Sequence, residues 1–215
     1  MTTLYLATGN PHKVTEMAGI FRALGLSAAV SSAAPLGGMP PVVEDGETFA
    51  ANAALKARAL ARLARPGSWV LADDSGLCVD ALGGAPGIYS ARYAGPTADA
   101  EANNAKLMAA LKAVPLAERT AAFVCALALI EVTSGRLHAF AGRCAGHIIA
   151  EPTGEGGFGY DPLFIPIGET RTFAAMPATE KDARSHRGQA LTALAQWWQE
   201  AFPSSKMPAD AQEQQ

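Results

Sequence analysis

Hydrophobic and polar positions alternate along the chain with two periods, one typical of strands and one typical of helices. The apolar run Leu4–Ala7 predicts a first strand. Apolar residues at helical spacing then predict a helix that starts at Pro11, with Asn10 as its N-cap, and ends near Gly25. A second helix is predicted over about residues 48–64.

Strand patterns dominate the second half of the chain. Trp69–Ala72 is a short buried run, and the longer runs Ala121–Val132 and Leu137–Ile149 predict a hairpin. The remaining predicted elements are a helix capped by Thr97 or Asp99, a strand near Leu163–Ile167 and a last helix after Arg187. Strands interspersed with helices predict an α/β protein.

Composition narrows the class of protein. With 215 residues, 49% of them hydrophobic and 17% charged, we expect one folded domain over residues 1–202 and a disordered tail over 203–215. No apolar run approaches the roughly 20 residues of a membrane span, and no secretory leader is evident, so a cytoplasmic protein with no membrane partner is expected. The net charge of −3 argues against a nucleic-acid partner. Three cysteines without CxxC spacing predict free thiols.

An acidic segment directly follows the run Trp69–Ala72. Asp73, Asp74, Ser75 and Gly76 would then lie at the end of a strand, where α/β sheets place their ligands. Neighbouring carboxylates repel each other, and a Mg²⁺ ion with phosphate ligands would relieve that repulsion. An acidic turn accounts equally well for the same residues.

Three further segments carry candidate chemistry. The turn Thr8–Lys13 leads into the first predicted helix, whose free N–H groups form an anion site. Lys56 lies on the apolar face of the second predicted helix, where a lysine that snorkels at the edge of the stripe is the favoured interpretation. The glycine-rich segment Glu151–Pro162 contains Phe158 and Tyr160, which predicts a mobile loop that binds a flat ligand.

Five motifs in a fixed order resemble a known family. They read ATGNPHK, TFAANAALKA, ADDSGLCVDALGGAPGIYSARYAG, GFGYDPLF, and EK followed by SHRGQAL, and they span about residues 3–195. The chain resembles the inosine/xanthosine triphosphate pyrophosphatases. The resemblance implies a mixed, elongated central sheet flanked by helices, with two lobes that enclose a nucleotide-binding cleft. It also implies a homodimer and Mg²⁺-dependent hydrolysis of ITP, dITP and XTP to the monophosphate and pyrophosphate.

The resemblance also implies roles for individual residues. Thr8, Gly9, Asn10, Lys13 and Lys56 would hold the triphosphate, Glu44 and Asp74 the metal, and Phe158, Gly159, Tyr160, Asp161, Lys181, His186 and Arg187 the nucleoside. Asp74 would deprotonate the attacking water, and Ser75 would touch the substrate. Because a carboxylate bound directly to Mg²⁺ is a poor base, either Asp74 coordinates the metal through a water or Asp73 shares the task. Arg187 would donate to O6 and N7 of the purine.

Two positions depart from the family pattern. Ala175 stands where many relatives carry Glu, and Arg184 stands where an apolar residue usually precedes SHR, which would add a cation near the nucleoside. A regulatory module that binds the nucleotide without turnover is the alternative from another functional class. A nucleic-acid-binding protein is a third option, against which the acidic charge balance argues.

Overall fold

A computed structural model describes residues 2–97 and 99–203. The predicted tail, residues 203–215, lies outside the described residues except for Pro203. The strands are β1 (Thr2–Leu6), β2 (Ala28–Ser32), β3 (Trp69–Val79), β4 (Thr120–Glu131), β5 (Leu137–Ile148) and β6 (Phe164–Pro166). The α-helices are α1 (Pro11–Ala23), α2 (Phe49–Ala61), α3 (Ala100–Ala110), α4 (Ala178–Arg184) and α5 (His186–Ala201).

The strands form one six-stranded sheet in the order β2-β1-β3-β4-β5-β6. β1 pairs in parallel with β2 and β3, whereas the ladders from β3 to β6 are antiparallel. Helices α1 and α5 pack together on one side of the sheet, and α2 packs on β3 and β4. The predicted mixed α/β sheet flanked by helices is therefore confirmed, and so is the hairpin β4–β5.

Side-chain caps explain where the helices begin. Asn10 Oδ1 accepts the first free N–H groups of α1, as its sequence position predicts, and Gly25 follows this helix with a φ of 66°. The Thr48 hydroxyl caps α2, and the Ser185 hydroxyl caps α5 by accepting from the Gly188 N–H at 3.0 Å. The short helix α4 was not predicted, because the polar sequence that precedes α5 shows no apolar period.

The long strands β3 and β4 pass through three hydrophobic cores, two of them on opposite faces at one end and one at the other end. At one end, Trp69 and Leu71 pack with α1 and α5, and Val70 and Ala72 pack on the opposite face with α2. At the other end, Leu77 contributes to a separate core with α3 and the segment around residues 160–176. The polar stretch 73–76 lies between these cores. The sheet thus carries two lobes, and the acidic residues occupy the boundary between them.

Two expectations about composition can be compared with this fold. Among residues 2–97 and 99–203, no helix is long and apolar enough to cross a membrane. All three cysteines are free thiols, as predicted; Cys125 and Cys144 are buried and Cys78 is half-buried.

Candidate functional site

The acidic pair lies inside β3 and not at its end. The strand runs without interruption from Trp69 to Val79, so the prediction of a strand that stops at Ala72, and with it the acidic-turn interpretation, is wrong. Polar residues end the apolar pattern, but the backbone continues because Asp73 and Asp74 stay paired with β4. Successive side chains of a strand point to opposite faces. Asp73 therefore faces α1 and α5, and Asp74 faces α2.

Asp73 is enclosed by cations. Lys13 Nζ bonds Asp73 Oδ1, and Arg187 Nε donates to Oδ2 at 3.0 Å. The Ser75 hydroxyl and the Cys125 thiol complete its surroundings at 3.1 and 3.2 Å. Burial acts to raise the pKa of Asp73, but the charges of Arg187 and Lys13 outweigh burial and hold the pKa well below its ordinary value. Asp73 is therefore a fixed anion and a poor proton acceptor.

Asp74 has a different environment. Lys56 Nζ donates to Asp74 Oδ1 at 2.6 Å and to Glu44 Oε2 at 3.0 Å, so one ammonium bridges two carboxylates. Asp74 Oδ2 is buried and has no hydrogen-bond partner among the residues that the structure describes. Burial raises the pKa of Asp74; Lys56 opposes this shift and Glu44 reinforces it. Asp74 is consequently a stronger base than an ordinary carboxylate.

Lys56 is not a snorkelling lysine. Only 12% of its side chain is exposed, and its ammonium points at the carboxylates and away from bulk solvent. Burial acts to lower its pKa, but Asp74 and Glu44 raise it overall. Lys56 therefore remains a cation in the cleft, and the interpretation favoured from helical spacing is wrong.

The segment that carries Glu44 is held by a residue that the sequence analysis did not assign to the site. The Gly46 N–H donates to Asn52 Oδ1 at 2.8 Å, and Asn52 is fully buried on α2. A Cβ at Gly46 would lie 2.7 Å from this oxygen, so the close approach requires glycine. Asn52 thus positions Glu44, and its place one turn before Lys56 was the available signal.

The predicted anion turn precedes α1 as expected. Asn10 Oδ1 accepts from the His12 N–H at 2.9 Å and from the Lys13 N–H at 3.4 Å, and the Thr8 hydroxyl oxygen accepts from the Asn10 N–H at 3.1 Å. Gly9 is exposed, with no atom near the position that a Cβ would occupy. The turn therefore offers the Thr8 hydroxyl proton and the start of a helix to an anion.

These groups line a cavity of about 310 Å³. Its walls include Thr8, Gly9, Asn10, Lys13, Glu44, Lys56, Asp73, Asp74, Ser75 and Arg92. Within the described part of the chain, no cluster of three or more His, Cys, Asp or Glu side chains could hold a metal by itself. Two carboxylates, one with a buried oxygen that lacks a partner, nevertheless fit Mg²⁺, which takes few protein ligands when phosphates and waters complete its shell.

The predicted aromatic loop approaches the other side of the cleft. The Phe158 N–H donates to Asp161 Oδ2 at 2.8 Å, and Lys181 Nζ bonds the same oxygen at 2.8 Å and lies 4.8 Å from the Phe158 ring centroid. Tyr160 is buried, with its hydroxyl on the Ser90 carbonyl at 2.9 Å. Burial raises the pKa of Asp161, an effect that Lys181 opposes. Asp161 thus fixes the backbone of the loop.

His186 and Arg187 open α5 and are both buried. The His186 ring stacks on Phe123 at 4.9 Å, and its Nδ1 has no partner among the described residues. Burial, together with the charge of Arg187, lowers the pKa of His186 well below its ordinary value, so the imidazole is neutral. Arg187 directs Nη1 to Glu16 Oε2 at 2.7 Å and Nη2 to the Ser75 hydroxyl at 2.8 Å, in addition to Nε on Asp73. Its donors are therefore largely committed to protein acceptors.

Glu16 was missed by the sequence analysis. It lies one helical turn after Lys13 on α1, which brings both side chains to the same face. Charged residues at this spacing usually form an exposed pair, but here the Glu16 side chain is only 9% exposed and bonds Arg187. The i, i+3 relation to Lys13 was the signal that could have found it.

A second cavity, of about 360 Å³, adjoins the first and shares Asn10, Lys13 and Ser75 with it. Its other walls include His12, Ser90, Phe123, Phe158, Gly159, Tyr160, Asp161, Lys181, His186 and Arg187. All of the predicted site residues therefore line one or other of two joined cavities. Ionic groups line the first, whereas the second combines aromatic rings with the charged groups Asp161, Lys181 and Arg187.

The two departures from the family pattern lie away from the cavities. Arg184 Nη2 pairs with Glu169 at 3.0 Å on the surface, so it does not add a cation near the predicted nucleoside site. Ala175 is exposed, beside the glycine segment, where the Gly156 N–H donates to the Ala174 carbonyl. This hydrogen bond connects the glycine-rich segment, which was predicted to be mobile, to the backbone at Ala174.

Comparison with known proteins gives consistent matches over nearly the whole chain. The model of the Ham1 family matches residues 4–197. A dITP/XTP pyrophosphatase of Opitutus terrae is 48% identical over 90% of this chain and 97% of its own. A dITP/XTP pyrophosphatase of Desulforamulus reducens is 50% identical over 87% of this chain and 91% of its own. A HAM1 protein from Coxiella burnetii superposes with a TM-score of 0.83 at 39% identity, covering 93% of this chain and all of that one.

Proposed function

Because the chain belongs to the Ham1 family, we propose that it hydrolyses dITP, XTP and ITP to the nucleoside monophosphate and pyrophosphate. The observation that carries the proposal is the pair of joined cavities, of which one is ionic and the other adds aromatic rings to its polar groups, as a triphosphate and a flat base require. The relatives named dITP/XTP pyrophosphatase support the substrate class.

The triphosphate belongs in the cavity of about 310 Å³. Lys13 and Lys56 lie on two different sides of the acidic strand, on α1 and α2, so they can contact different phosphates. The Thr8 hydroxyl adds a neutral donor, and the positive dipole end of α1 favours an anion although its first N–H groups are bonded to Asn10 Oδ1. Negative charge that develops on the phosphate oxygens during attack is then met by donors already in place.

Mg²⁺ is the proposed cofactor, held by Glu44 and Asp74. When bound, it would supply Lewis-acid stabilisation of the phosphate oxygens. The chain's own contribution is to keep both carboxylates near Lys56, which neutralises part of their repulsion. Asp74 Oδ2, which no described residue contacts through a hydrogen bond, is the atom that most needs a ligand in this arrangement.

Asp74 is the proposed general base. A water oxygen attacks the α-phosphorus, the bond from that phosphorus to the bridging oxygen breaks, and pyrophosphate leaves with the bridging oxygen. The water proton passes to Asp74 and then to solvent. Asp74 can serve as base if it holds Mg²⁺ through a water, because a carboxylate bound directly to the metal is a poor base. The lowered pKa of Asp73 argues against the shared role considered from the sequence.

Base selection is proposed for the cavity around Phe158. A 6-oxo purine presents an acceptor where adenine presents an amino donor, so buried donors discriminate between them. The neutral His186 lines this cavity, and its Nδ1 has no partner in the described part of the chain. Arg187, which the sequence analysis expected to read O6 and N7, contributes mainly by holding Ser75 and Asp73 in place. Only its remaining N–H groups can reach a ligand.

The test is a turnover assay with pyrophosphate detection. The protein is incubated with Mg²⁺ and dITP, XTP or ITP, with ATP and GTP as matched controls. Release of pyrophosphate from the first three at far higher kcat/KM than from ATP or GTP is expected. Nucleotide binding without pyrophosphate release would instead indicate a regulatory module. A homodimer and a cytoplasmic location remain predictions, and light scattering tests the first.

A further inference from the structure

His12 is a residue of the cleft to which neither the resemblance nor the proposed mechanism assigns a role. Its imidazole stacks against the Phe158 ring, with 5.9 Å between the ring centroids and 22° between the planes. Both rings line the cavity of about 360 Å³. His12 belongs to the first turn of α1, where its backbone N–H is bonded to Asn10 Oδ1 at 2.9 Å. Its backbone is thus fixed beside the phosphate turn.

The two rings differ in how they are held. Phe158 is half-buried, its backbone N–H is bonded to Asp161, and Lys181 and Arg187 lie 4.8 and 5.6 Å from its ring centroid. The cations and the bonded backbone make Phe158 a rigid wall. The His12 side chain is exposed and lies on the other element of the cleft, so a rotation about its side-chain bonds can change the gap between the rings.

The stacked pair has to open to admit a planar base. A flat ring in van der Waals contact on both faces needs about 7 Å between the flanking ring planes, twice a contact distance of about 3.5 Å. The two ring planes are already within 22° of parallel, and their centroids are 5.9 Å apart. A rotation of the exposed His12 side chain that separates the rings would therefore create a slot for a purine.

We propose that His12 and Phe158 clamp the purine of the substrate between their rings. The inference rests on the proposed function only in taking this cavity as the nucleoside end. Stacking does not depend on the hydrogen-bonding edge of the base, so the clamp adds affinity for dITP, XTP and ATP alike. Selection among bases stays with the groups that face the base edge.

Three substitutions at His12 separate stacking from hydrogen bonding. His12→Ala removes the ring, His12→Gln keeps a polar group of similar reach without an aromatic face, and His12→Phe keeps the face without the polar atoms. Dissociation constants for dITP and ATP are measured by calorimetry in an Asp74→Asn background, and KM and kcat for dITP in the otherwise unchanged protein. Thermal unfolding checks that each variant folds.

The clamp predicts that His12→Ala and His12→Gln each raise the dissociation constants for dITP and ATP by about tenfold or more. The KM for dITP should rise as well, with little change in kcat. His12→Phe should restore most of the affinity. If Gln retains affinity and Phe loses it, the imidazole acts as a hydrogen-bond donor to the phosphates and the clamp is refuted. Unchanged binding in His12→Ala refutes it as well. Absence of dITP turnover with normal binding would count against the proposed function alone.

Discussion

Replacing each of the two adjacent aspartates by asparagine should separate stability from catalysis. Asp73→Asn keeps the shape of the side chain but removes the charge that Lys13 and Arg187 share. Asp73 is only 2% exposed, and removing one partner of a buried ion pair costs about 3–5 kcal/mol. In a protein of this size 1 kcal/mol shifts Tm by about 2–4 °C, so a fall of about 6–20 °C is expected.

Asp74→Asn is the matched control one residue away on the same strand. Lys56 keeps Glu44 as a partner at 3.0 Å, and the substitution also removes a carboxylate that is buried at a cost. The change in unfolding free energy should therefore stay near about 1 kcal/mol, the usual net value of one hydrogen bond. Turnover of dITP should fall at least about a hundredfold, the scale of general-base loss.

The assays are thermal or urea unfolding, followed across pH, and pyrophosphate release. The folded-state pKa of Asp73 is depressed, so its stabilisation is present above the ordinary pKa and is lost as pH falls towards the folded value. The difference in unfolding free energy between the wild-type protein and Asp73→Asn should accordingly be largest near neutral pH and decrease in acid. The reasoning is refuted if Asp74→Asn lowers Tm as much as Asp73→Asn, or if Asp73→Asn unfolds at the wild-type temperature.

Two further outcomes follow from neighbouring contacts. Glu44→Gln should raise the Mg²⁺ concentration needed for half-maximal turnover and weaken Mn²⁺ binding measured by electron paramagnetic resonance. Asn52→Ala should have the same effects more mildly, because it releases the backbone at Gly46. An unchanged metal titration in both variants would remove this segment from the site. Burial and the charge of Glu16 raise the pKa of Asp182 from 3.8 to about 6, so ionisation of Asp182 reduces stability as pH rises through that range. Asp182→Asn should therefore raise Tm at pH 7.5, and this gain should vanish towards pH 4. A gain in Tm that is independent of pH would contradict the assignment.

Local signals predicted much of the fold. The cap of α1 at Asn10 and the hairpin β4–β5 depend on residues close together in the sequence, and both are confirmed. The course of β3 through Asp73 could not be predicted in this way. Its ionic partners lie 60 and 114 residues away, on α1 and α5, so no local period reports them. The polar residue Asp73 was therefore interpreted as the end of a strand that in fact continues to Val79.

Lys56 shows the same limit at the level of the site. Helical spacing placed it correctly on the face of α2 that meets the sheet, together with buried Ala53 and Leu60. From that position a lysine either reaches solvent or pairs with a carboxylate, depending on which residues of the sheet lie opposite. Because the even-numbered residues of β3 face α2, Asp74 lies opposite Lys56 and pairs with it. The pairing of helix and strand is tertiary information.

The adjacent carboxylates were expected to share one cation because like charges repel. The pleat of β3 resolves the repulsion differently, by sending Asp73 and Asp74 to opposite faces of the sheet. Asp73 then uses its negative charge to gather Lys13 and Arg187, whereas Asp74 keeps one oxygen that has no partner among residues 2–97 and 99–203. Since a fully paired carboxylate is a poor base and an underpaired one is costly to bury, each residue performs a task that the other could not. The continuous strand, which the sequence pattern did not predict, is what makes this division of roles possible.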